Sequence, residues 1–499
     1  MNLFPKSEIE QSIPTRFEKQ VTQYPDRLAI KDGQRGLSYR QLNREANQVA
    51  SALLKRGLDR GPVVTLCDQG SSLIAATLGI LKAGLFYSPL DPQASPDLIL
   101  KLLRSLGPEA IVLEGHCLQT IENLNDLDIP ILQVDSLEES LSVANPDIQT
   151  EPSAPASIYF TSGSTGTPKG VIDSHRNLLH NVMRYTNSLG ITHEDRLSLL
   201  HAPDLSACSS SQFGALLNGA SVFPKRIQPE NISSLPGWLV KEEITIYHSV
   251  PDLLRFALNQ NTRNSKLRWI RLEGDQSRRE DLSVYQDFAP PACRLVNGLG
   301  TTETGICRQF FFDKRTPLPS NTVPVGYAIE DMDVYTIGST GAFQKEGPGE
   351  IAVSSSYLCL GYWKDPDKTS KRFLQDPNHP DRRVWKSGDR GNLLDTGCLE
   401  FLGRQASGVK KQTIGKHACA RQPTSPTEKS LNALCGDLLP GSEIDMESNL
   451  LELGGTSLTA LRLINKIEKD HSIRLSFGDV FDAPSLTELA ALIETRLGN

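Results

Sequence analysis

Residues 159–171 read Tyr-Phe-Thr-Ser-Gly-Ser-Thr-Gly-Thr-Pro-Lys-Gly-Val. The apolar run from Ile158 to Thr161 has strand character and leads straight into a loop crowded with hydroxyls, glycines and one lysine. Glycine lets backbone N–H groups approach phosphate oxygens closely, the hydroxyls add donors, and Lys169 adds a point charge. Gly170 follows Lys169 where a Walker A loop would carry Ser or Thr, so this is a different kind of phosphate cradle. A Gly/Ser/Thr-rich loop on its own is more often a plain surface turn. Its surroundings decide the reading.

Working outward, helical and strand patterns alternate over the first 400 or so residues. Ala46, Val49, Ala50, Leu53 and Leu54 fall on one helix face, with Gly57 placed to end the helix, and Val63 to Cys67 is a short buried-strand candidate. This alternation predicts an α/β fold with sheets covered by helices. Periodicity collapses between Gln405 and Thr427. Within that stretch, Gln422-Pro423-Thr424-Ser425-Pro426-Thr427 predicts an extended, flexible linker. Helical spacing then resumes: Leu458, Leu461, Ile464 and Ile467, and later Leu486, Leu489, Ala490, Ile493 and Leu497, predict a small all-helical module.

Composition narrows the classes. The chain has 499 residues, 38% hydrophobic and 22% charged, a soluble globular balance spread over more than one domain. No apolar run is long enough to span a bilayer, and the N-terminal residues lack the basic-then-apolar pattern of a secretory signal. The nine cysteines form no Cys-x-x-Cys pair, which indicates neither a disulfide framework nor a zinc site; a reducing cytoplasm is the expected compartment. A net charge of −7 argues against a nucleic-acid partner. From Pro426 to Asn499 there are 12 Asp/Glu and 6 Lys/Arg, so this stretch carries −6 of the −7. An acidic small module suits docking to basic patches on partner enzymes.

The loop closely resembles the signature of the adenylate-forming superfamily, which includes acyl-CoA synthetases, luciferases and the adenylation domains of nonribosomal peptide synthetases. Other segments agree in order: Leu37 to Asn43 with Ala46-Asn47, Leu81 to Pro92, Asn297 to Thr304, Gly349-Glu350-Ile351 with Gly361-Tyr362-Trp363, and Lys386 to Asp389. The resemblance covers about residues 10–410. It implies a large N-terminal subdomain of layered α/β sheets with a small β-barrel. It also implies ATP and Mg²⁺. Thr161, Ser162, Gly163, Ser164, Thr165, Gly166 and Lys169 would then cradle phosphates, Thr302 would contact the α-phosphate, and Glu303 would hold Mg²⁺. Asn297 and Gly298 would lie along the adenine, and Asp389 and Arg404 would reach the ribose.

The same resemblance places an acid pocket at Ser206, Ala207, Ser210, His248, Arg271, Glu273, Gly298, Ile306 and Cys307. Amino-acid-activating relatives carry an Asp where this chain has Ser206, and a buried ammonium without a countercharge is costly. An ordinary α-amino acid is therefore disfavoured unless Asp204 shifts into place. His248, Arg271 and Glu273 either bind a polar acid or pair with one another and fill the space.

Near the other end, Gly454-Gly455-Thr456-Ser457-Leu458, with Asn449 to Leu453 before it and Phe477 to Leu486 after it, resembles a peptidyl carrier. Ser457 would sit at a helix N-terminus and bear 4′-phosphopantetheine, added by a phosphopantetheinyl transferase. A plain N-cap serine is the bland alternative.

Relatives follow the Gly-Arg hinge with an Asp and a mobile C-terminal subdomain that brings a lysine to the forming acyl phosphate. Here Ala406 holds the hinge position, and only Val409-Lys410 survive of the motif beyond it. A subdomain of roughly a hundred residues has no room before the carrier. The expected organisation is an adenylation core over 1–403, a degenerate hinge and linker over 404–425, and a four-helix carrier over 426–499. The expected function is an ATP-dependent acid–AMP ligase that charges its own carrier, weakly or with a partner's help, for downstream biosynthetic enzymes. The rival expectation is a degenerate scaffold that only presents the carrier. An acyl-CoA synthetase is disfavoured because the carrier replaces free CoA as acceptor.

Overall fold

Short strands rich in Val, Ile, Leu and Tyr alternate with helices through most of the chain and assemble into three sheets. The computed structural model describes every residue except 1–2, 123–128, 139, 162–167, 229, 318, 320–322, 405–420, 440–443, 451–452, 454–458, 461–462, 465, 468–469, 471–472, 474, 476–478, 481–482 and 498–499. Among the described residues no helix is long and apolar enough to cross a membrane. All eight described cysteines are free and buried.

Seven strands form one sheet, in the order Gly361–Tyr362, Lys169–Ser174, Pro155–Thr161, Phe86–Pro89, Pro62–Leu66, Ala110–Leu113 and Ile131–Gln133. Its interior is parallel, and Pro62–Leu66 is buried along its whole length, as a strand covered on both faces must be. The phosphate-loop hairpin is the antiparallel addition at its edge, with Thr161 opposite Lys169.

A second sheet has nine strands, in the order Tyr327–Ala328, Gly305–Phe312, Arg294–Thr301, Trp269–Leu272, Ile246–Ser249, Arg196–Leu199, Ser221–Pro224, Leu28–Asp32 and Arg35–Ser38. Its central strands are parallel, so His248, Arg271 and Val296 stand side by side in register. A third, six-stranded antiparallel sheet spans Asp333 to Arg404. It takes the place expected of the small β-barrel, and its pairing runs along an open path with a branch at Arg383–Leu393.

Helix Tyr39–Leu54 shows how sequence sets these layers. Ser38 and Gln41 form a reciprocal capping box at its start. Ala46, Val49, Ala50 and Leu53 are buried, whereas Leu54, expected on the same face, is exposed as the final residue turns away from the core. The helix packs on Ser71–Lys82 so closely that a Cβ on Gly79 would lie 2.5 Å from Val49 Cβ.

Two compact units are present: Met1–Arg226 with Pro236–Gln405, and Ile227–Leu235 with Ala406–Asn499. In the second, helices Pro426–Leu438 and Leu486–Leu497 share a core containing Leu431, Cys435, Leu463, Ile464, Ile467, Leu489 and Ile493. Leu458 and Leu461 lie outside the described residues.

The expected flexible linker needs correction at its end. Pro426 and Thr427 are helical, and Ser425 is an N-cap whose side chain accepts a hydrogen bond from the Glu428 amide. Glu428 answers by accepting from the Thr424 and Ser425 amides and from Arg421. Ser-Pro-Thr-Glu is a capping box with proline at the first helical position, so the residues that suggested a loop start a helix.

Candidate functional site

The site grows from the hairpin. Pairing across Thr161 and Lys169 fixes the lysine at the start of its strand. Its Nζ lies 2.5 Å from Glu303 Oε1, 3.4 Å from the Tyr362 hydroxyl and 4.8 Å from the centre of the Tyr362 ring. Tyr362 donates to Glu303 Oε1 at 3.0 Å and accepts from Trp385 Nε1 at 3.3 Å. Burial and the Glu303 charge push the Tyr362 phenol well above its ordinary pKa, so it stays a donor. Glu303 is nearly buried, and its backbone carbonyl accepts from the Cys359 amide at 3.0 Å.

These contacts join the edge hairpin, the Thr301–Gly305 turn of the second sheet and the Gly361–Tyr362 strand. Thr161 Oγ1 is buried without a hydrogen-bond partner among the described residues. A magnesium triphosphate asks for a fixed cation, spare hydroxyl donors and a hard carboxylate oxygen. Lys169, Thr161 and Glu303 supply one of each, so the residues fit the group. Ser162, Gly163, Ser164, Thr165 and Gly166 lie outside the described residues.

A second carboxyl group stands near Glu303. Burial pushes Asp173 up to about 7; a hydrogen bond from Asn177 opposes that rise, and Glu303 adds to it. Nothing in the sequence motifs had marked this residue.

Thr302 links the cluster to the expected acid pocket: its hydroxyl lies 3.0 Å from Ser206 Oγ, at the start of helix Ser206–Leu216. Ala207 occupies the same first turn. One turn on, Ser210 Oγ accepts from Asn181 Nδ2 at 3.1 Å, and Asn181 Oδ1 accepts from the Ile306 amide at 3.0 Å. Cys307 donates its thiol to the Leu299 carbonyl, and burial pushes that thiol up to about 11. Arg184, buried behind this strand, donates to the Ile306 and Thr304 carbonyls.

Ser211 Oγ lies 2.9 Å from His248 Nδ1, and His248 Nε2 lies 2.9 Å from Glu273 Oε1. Arg271 donates from Nε and Nη2 to Glu273 Oε2 at 3.0 and 2.8 Å, with its guanidinium 5.2 Å from the Tyr185 ring centre. Burial alone would raise the Glu273 pKa, but Arg271 and His248 together hold it far below the usual carboxylate range. Burial also lowers His248 and takes His201, whose ring is 4.6 Å away, down to about 3. Gly298 makes room for this group: a Cβ there would come within 2.9 Å of Arg271 Nη2. His248, Arg271 and Glu273 thus pair with one another.

The remaining expected residues lie further along. Asn297 is engaged on both sides, donating to the Pro324 carbonyl and accepting from Ser277. Asp389 and Arg404 are backbone partners on adjacent strands of the third sheet, and Trp385, on the same strand as Asp389, reaches Tyr362. Asp204 stands near Asp91. Its carboxyl is raised to about 6, chiefly by burial and then by Asp91, which is itself ion-paired with Arg226. Ser457 lies outside the described residues, as do Ala406 and Lys410.

Sequence reasoning gave Tyr362 no role, although Gly-Tyr-Trp was read as a motif. It also missed Asn181, Tyr185, His201 and Ser211, whose parts depend on helix packing that no linear spacing reveals.

Comparison with known proteins agrees with this layout. Residues 17–363 match the AMP-binding enzyme family, and residues 431–493 match the phosphopantetheine attachment site family. The chain is similar to tyrocidine synthase 1 of Brevibacillus parabrevis, 30% identical over 403 residues that make up 80% of this chain and 36% of that protein. It is similar to surfactin synthase subunit 2 of Bacillus subtilis (strain 168), 32% identical over 400 residues, 79% of this chain and 11% of that one. It thus spans only about a third or less of the length of these relatives. Among solved structures, the nonribosomal peptide synthetase FmoA3 superposes with a TM-score of 0.71 at 26% identity, covering 97% of this chain and 50% of FmoA3. The Klebsiella oxytoca NpsA N-terminal subdomain shares the fold, with a TM-score of 0.68 at 21% identity, over 80% of this chain and 98% of that subdomain. The two family matches leave no C-terminal adenylation subdomain between core and carrier. The chain belongs to the AMP-binding enzyme family, in the form found in nonribosomal peptide synthetases, with a phosphopantetheine carrier domain behind it.

Proposed function

We propose that this chain joins a carboxylic acid to AMP and passes the acyl group to a phosphopantetheine arm on its own Ser457. The observation that carries this reading is the Lys169–Glu303–Tyr362 cluster, set beside a polar acid pocket through the Thr302–Ser206 contact. An acid oxygen attacks the α-phosphorus of ATP, a new O–P bond forms, and pyrophosphate leaves. The arm's sulfur then attacks the acyl carbon, and AMP leaves. Lys169 and the loop 161–167 hold the phosphates, with Thr302 beside the α-phosphate. Glu303 holds Mg²⁺, which when bound neutralises phosphate charge. Asp389 and Arg404 hold the ribose, and Asn297 and Gly298 flank the base. Tyr362 keeps Lys169 and Glu303 aligned.

The division into core 1–403, linker 404–425 and carrier 426–499 belongs to the same reading. So do loading by a phosphopantetheinyl transferase, hand-over to downstream enzymes that dock on the acidic carrier, and a cytoplasmic setting. With Ala406 at the hinge and no room for the C-terminal subdomain, the lysine that such a lobe delivers is missing. Losing an aimed positive charge costs on the order of 10²–10³ in rate. Adenylation is therefore slow alone and restored by a partner's lobe. ATP–pyrophosphate exchange across a panel of acids tests this: slow exchange that rises when a C-terminal subdomain is supplied supports it, and full-speed exchange by the chain alone refutes the dependence.

The linker also favours a second reading, a scaffold without catalysis that presents the carrier. Exchange that stays at background with and without the added lobe would select it.

A further inference from the structure

Within the seven-stranded sheet, strand Pro62–Leu66 lies between Phe86–Pro89 on one side and Ala110–Leu113 on the other, all parallel. The chain leaving Pro62–Leu66 goes on to Phe86–Pro89, and the chain leaving Ala110–Leu113 goes the other way, to Ile131–Gln133. Such a divergence opens a crevice at the carboxyl ends of the two strands, the usual place for a ligand in an open parallel sheet. Asp68 follows the first of these strands, Glu114 and His116 follow the second, and Asp135 follows Ile131–Gln133.

One ligand atom from each of Asp68, Glu114 and His116 lies within 4.8 Å of the other two. His116 Nε2 is 3.2 Å from Asp68 Oδ2. Two donors bonded at about 2.1 Å to one tetrahedral ion sit roughly 3.4 Å apart, so this spacing suits a shared metal. Hydrogen bonds hold the frame. Glu114 Oε2 accepts from the Asp68 amide at 2.8 Å, which leaves its other oxygen to bind. Both Asp135 oxygens accept from the Gly115 amide at 3.0 Å and fix the turn that carries His116. The buried Cys117 Sγ lies 3.3 Å from His116 Nε2, and a thiol is a weak donor, so an ion replaces that contact at little cost. An ion pair with His116 accounts for Asp68 alone. Among the described residues no Lys or Arg pairs with Asp68, Glu114 or Asp135, so the carboxylates gathered here outnumber the cations that face them. We infer that Asp68, Glu114 and His116 bind one divalent transition ion of the zinc type, with water completing its shell. The imidazole nitrogen selects such an ion over Mg²⁺ or Ca²⁺, which take oxygen ligands. Asp68 and His116 are each about half exposed, which gives the ion a way in from solvent. The site shares no residue with the nucleotide cluster and does not depend on acid activation.

Calorimetric titration of zinc chloride into the full chain, stripped with a chelator and kept in excess Mg²⁺, tests this. One zinc ion per wild-type chain is expected. Asp68→Asn and His116→Ala are each expected to weaken binding by on the order of 10²-fold, the upper end of what losing an outer-shell partner costs. His379→Ala, which removes an imidazole elsewhere, should leave it unchanged. Zinc should also raise the melting temperature of the wild type and of His379→Ala, but not that of His116→Ala. Melting temperatures without zinc that match the wild type show that the variants fold. An absence of saturable zinc binding to the wild type would overturn the inference. So would binding that survives both ligand substitutions (an adventitious ion only), or zinc that excess Mg²⁺ displaces. No nucleotide or acid enters the titration, so these outcomes leave the proposed acid activation standing.

Discussion

At the level of single residues, the account turns on charges that hold one another in place. Lys169 is only 18% exposed and sits 2.5 Å from Glu303. Lys169→Ala is expected to lower ATP–pyrophosphate exchange by on the order of 10²–10³, since it removes charge aimed at phosphate, and to lower the melting temperature as well, since it leaves the buried Glu303 carboxylate without its cation. Tyr362→Phe removes one hydroxyl that bonds Glu303 and receives Trp385. It should cost about 1 kcal/mol, seen as a drop of roughly fivefold in exchange with little change in fold. Arg271→Met strands the buried Glu273 carboxylate away from the phosphates. A loss of about 3–5 kcal/mol in stability, measured by denaturant unfolding, is expected. Of these residues, Lys169 and Glu303 were legible because their neighbours form ordered motifs. Tyr362 was visible only as a letter in a motif, and its role needed the edge pairing of Gly361–Tyr362 with Val171–Ile172. Ser211 and His201 had no signal in the sequence, since nothing in linear spacing says which helix face meets which strand.

Single elements behave according to how local their causes are. The second half of helix Tyr39–Leu54 was legible because the apolar spacing from Ala46 to Leu54 lies in one stretch of sequence, whereas its start at the Ser38–Gln41 capping box was not read. The start of helix Pro426–Leu438 was misread because Pro, Ser and Thr signal a linker as well as a cap. The Glu at the third position, 428, was the clue that separated them. Glu428 is buried, and hydrogen bonds from Thr424, followed by Arg421, hold its carboxyl down to about 2. A carboxyl lowered on folding contributes stability above its ordinary range near 4.5, and that contribution fades as pH falls toward 2. Ser425→Ala is expected to cost the carrier about 1 kcal/mol, visible as faster amide exchange over residues 429–434. Glu428→Gln should flatten the carrier's stability loss between pH 4.5 and 2. An unchanged acid profile would mean that the cap does not govern this helix.

For the molecule as a whole, the sequence announced two bodies, because family motifs fill one stretch and a change of period and charge begins the other. The α/β class followed from alternating strand and helix patterns. The branching of the antiparallel sheet at Arg383–Leu393 did not, since which strands pair depends on contacts across long sequence distances. The short 405–425 segment was legible simply as length, and it makes the largest mechanistic claim: a site for nucleotide and acid without the lobe that completes it. Intact-mass measurement tests this most directly. The full chain is first treated with CoA and a broad phosphopantetheinyl transferase, then with ATP, Mg²⁺ and a panel of acids, with and without a C-terminal adenylation subdomain. The account predicts one arm on wild type and none on Ser457→Ala. It further predicts an acyl increment that appears slowly alone, faster with the added lobe, and not at all on Lys169→Ala. A chain that accepts no arm, or an arm that stays empty under every condition, would contradict it.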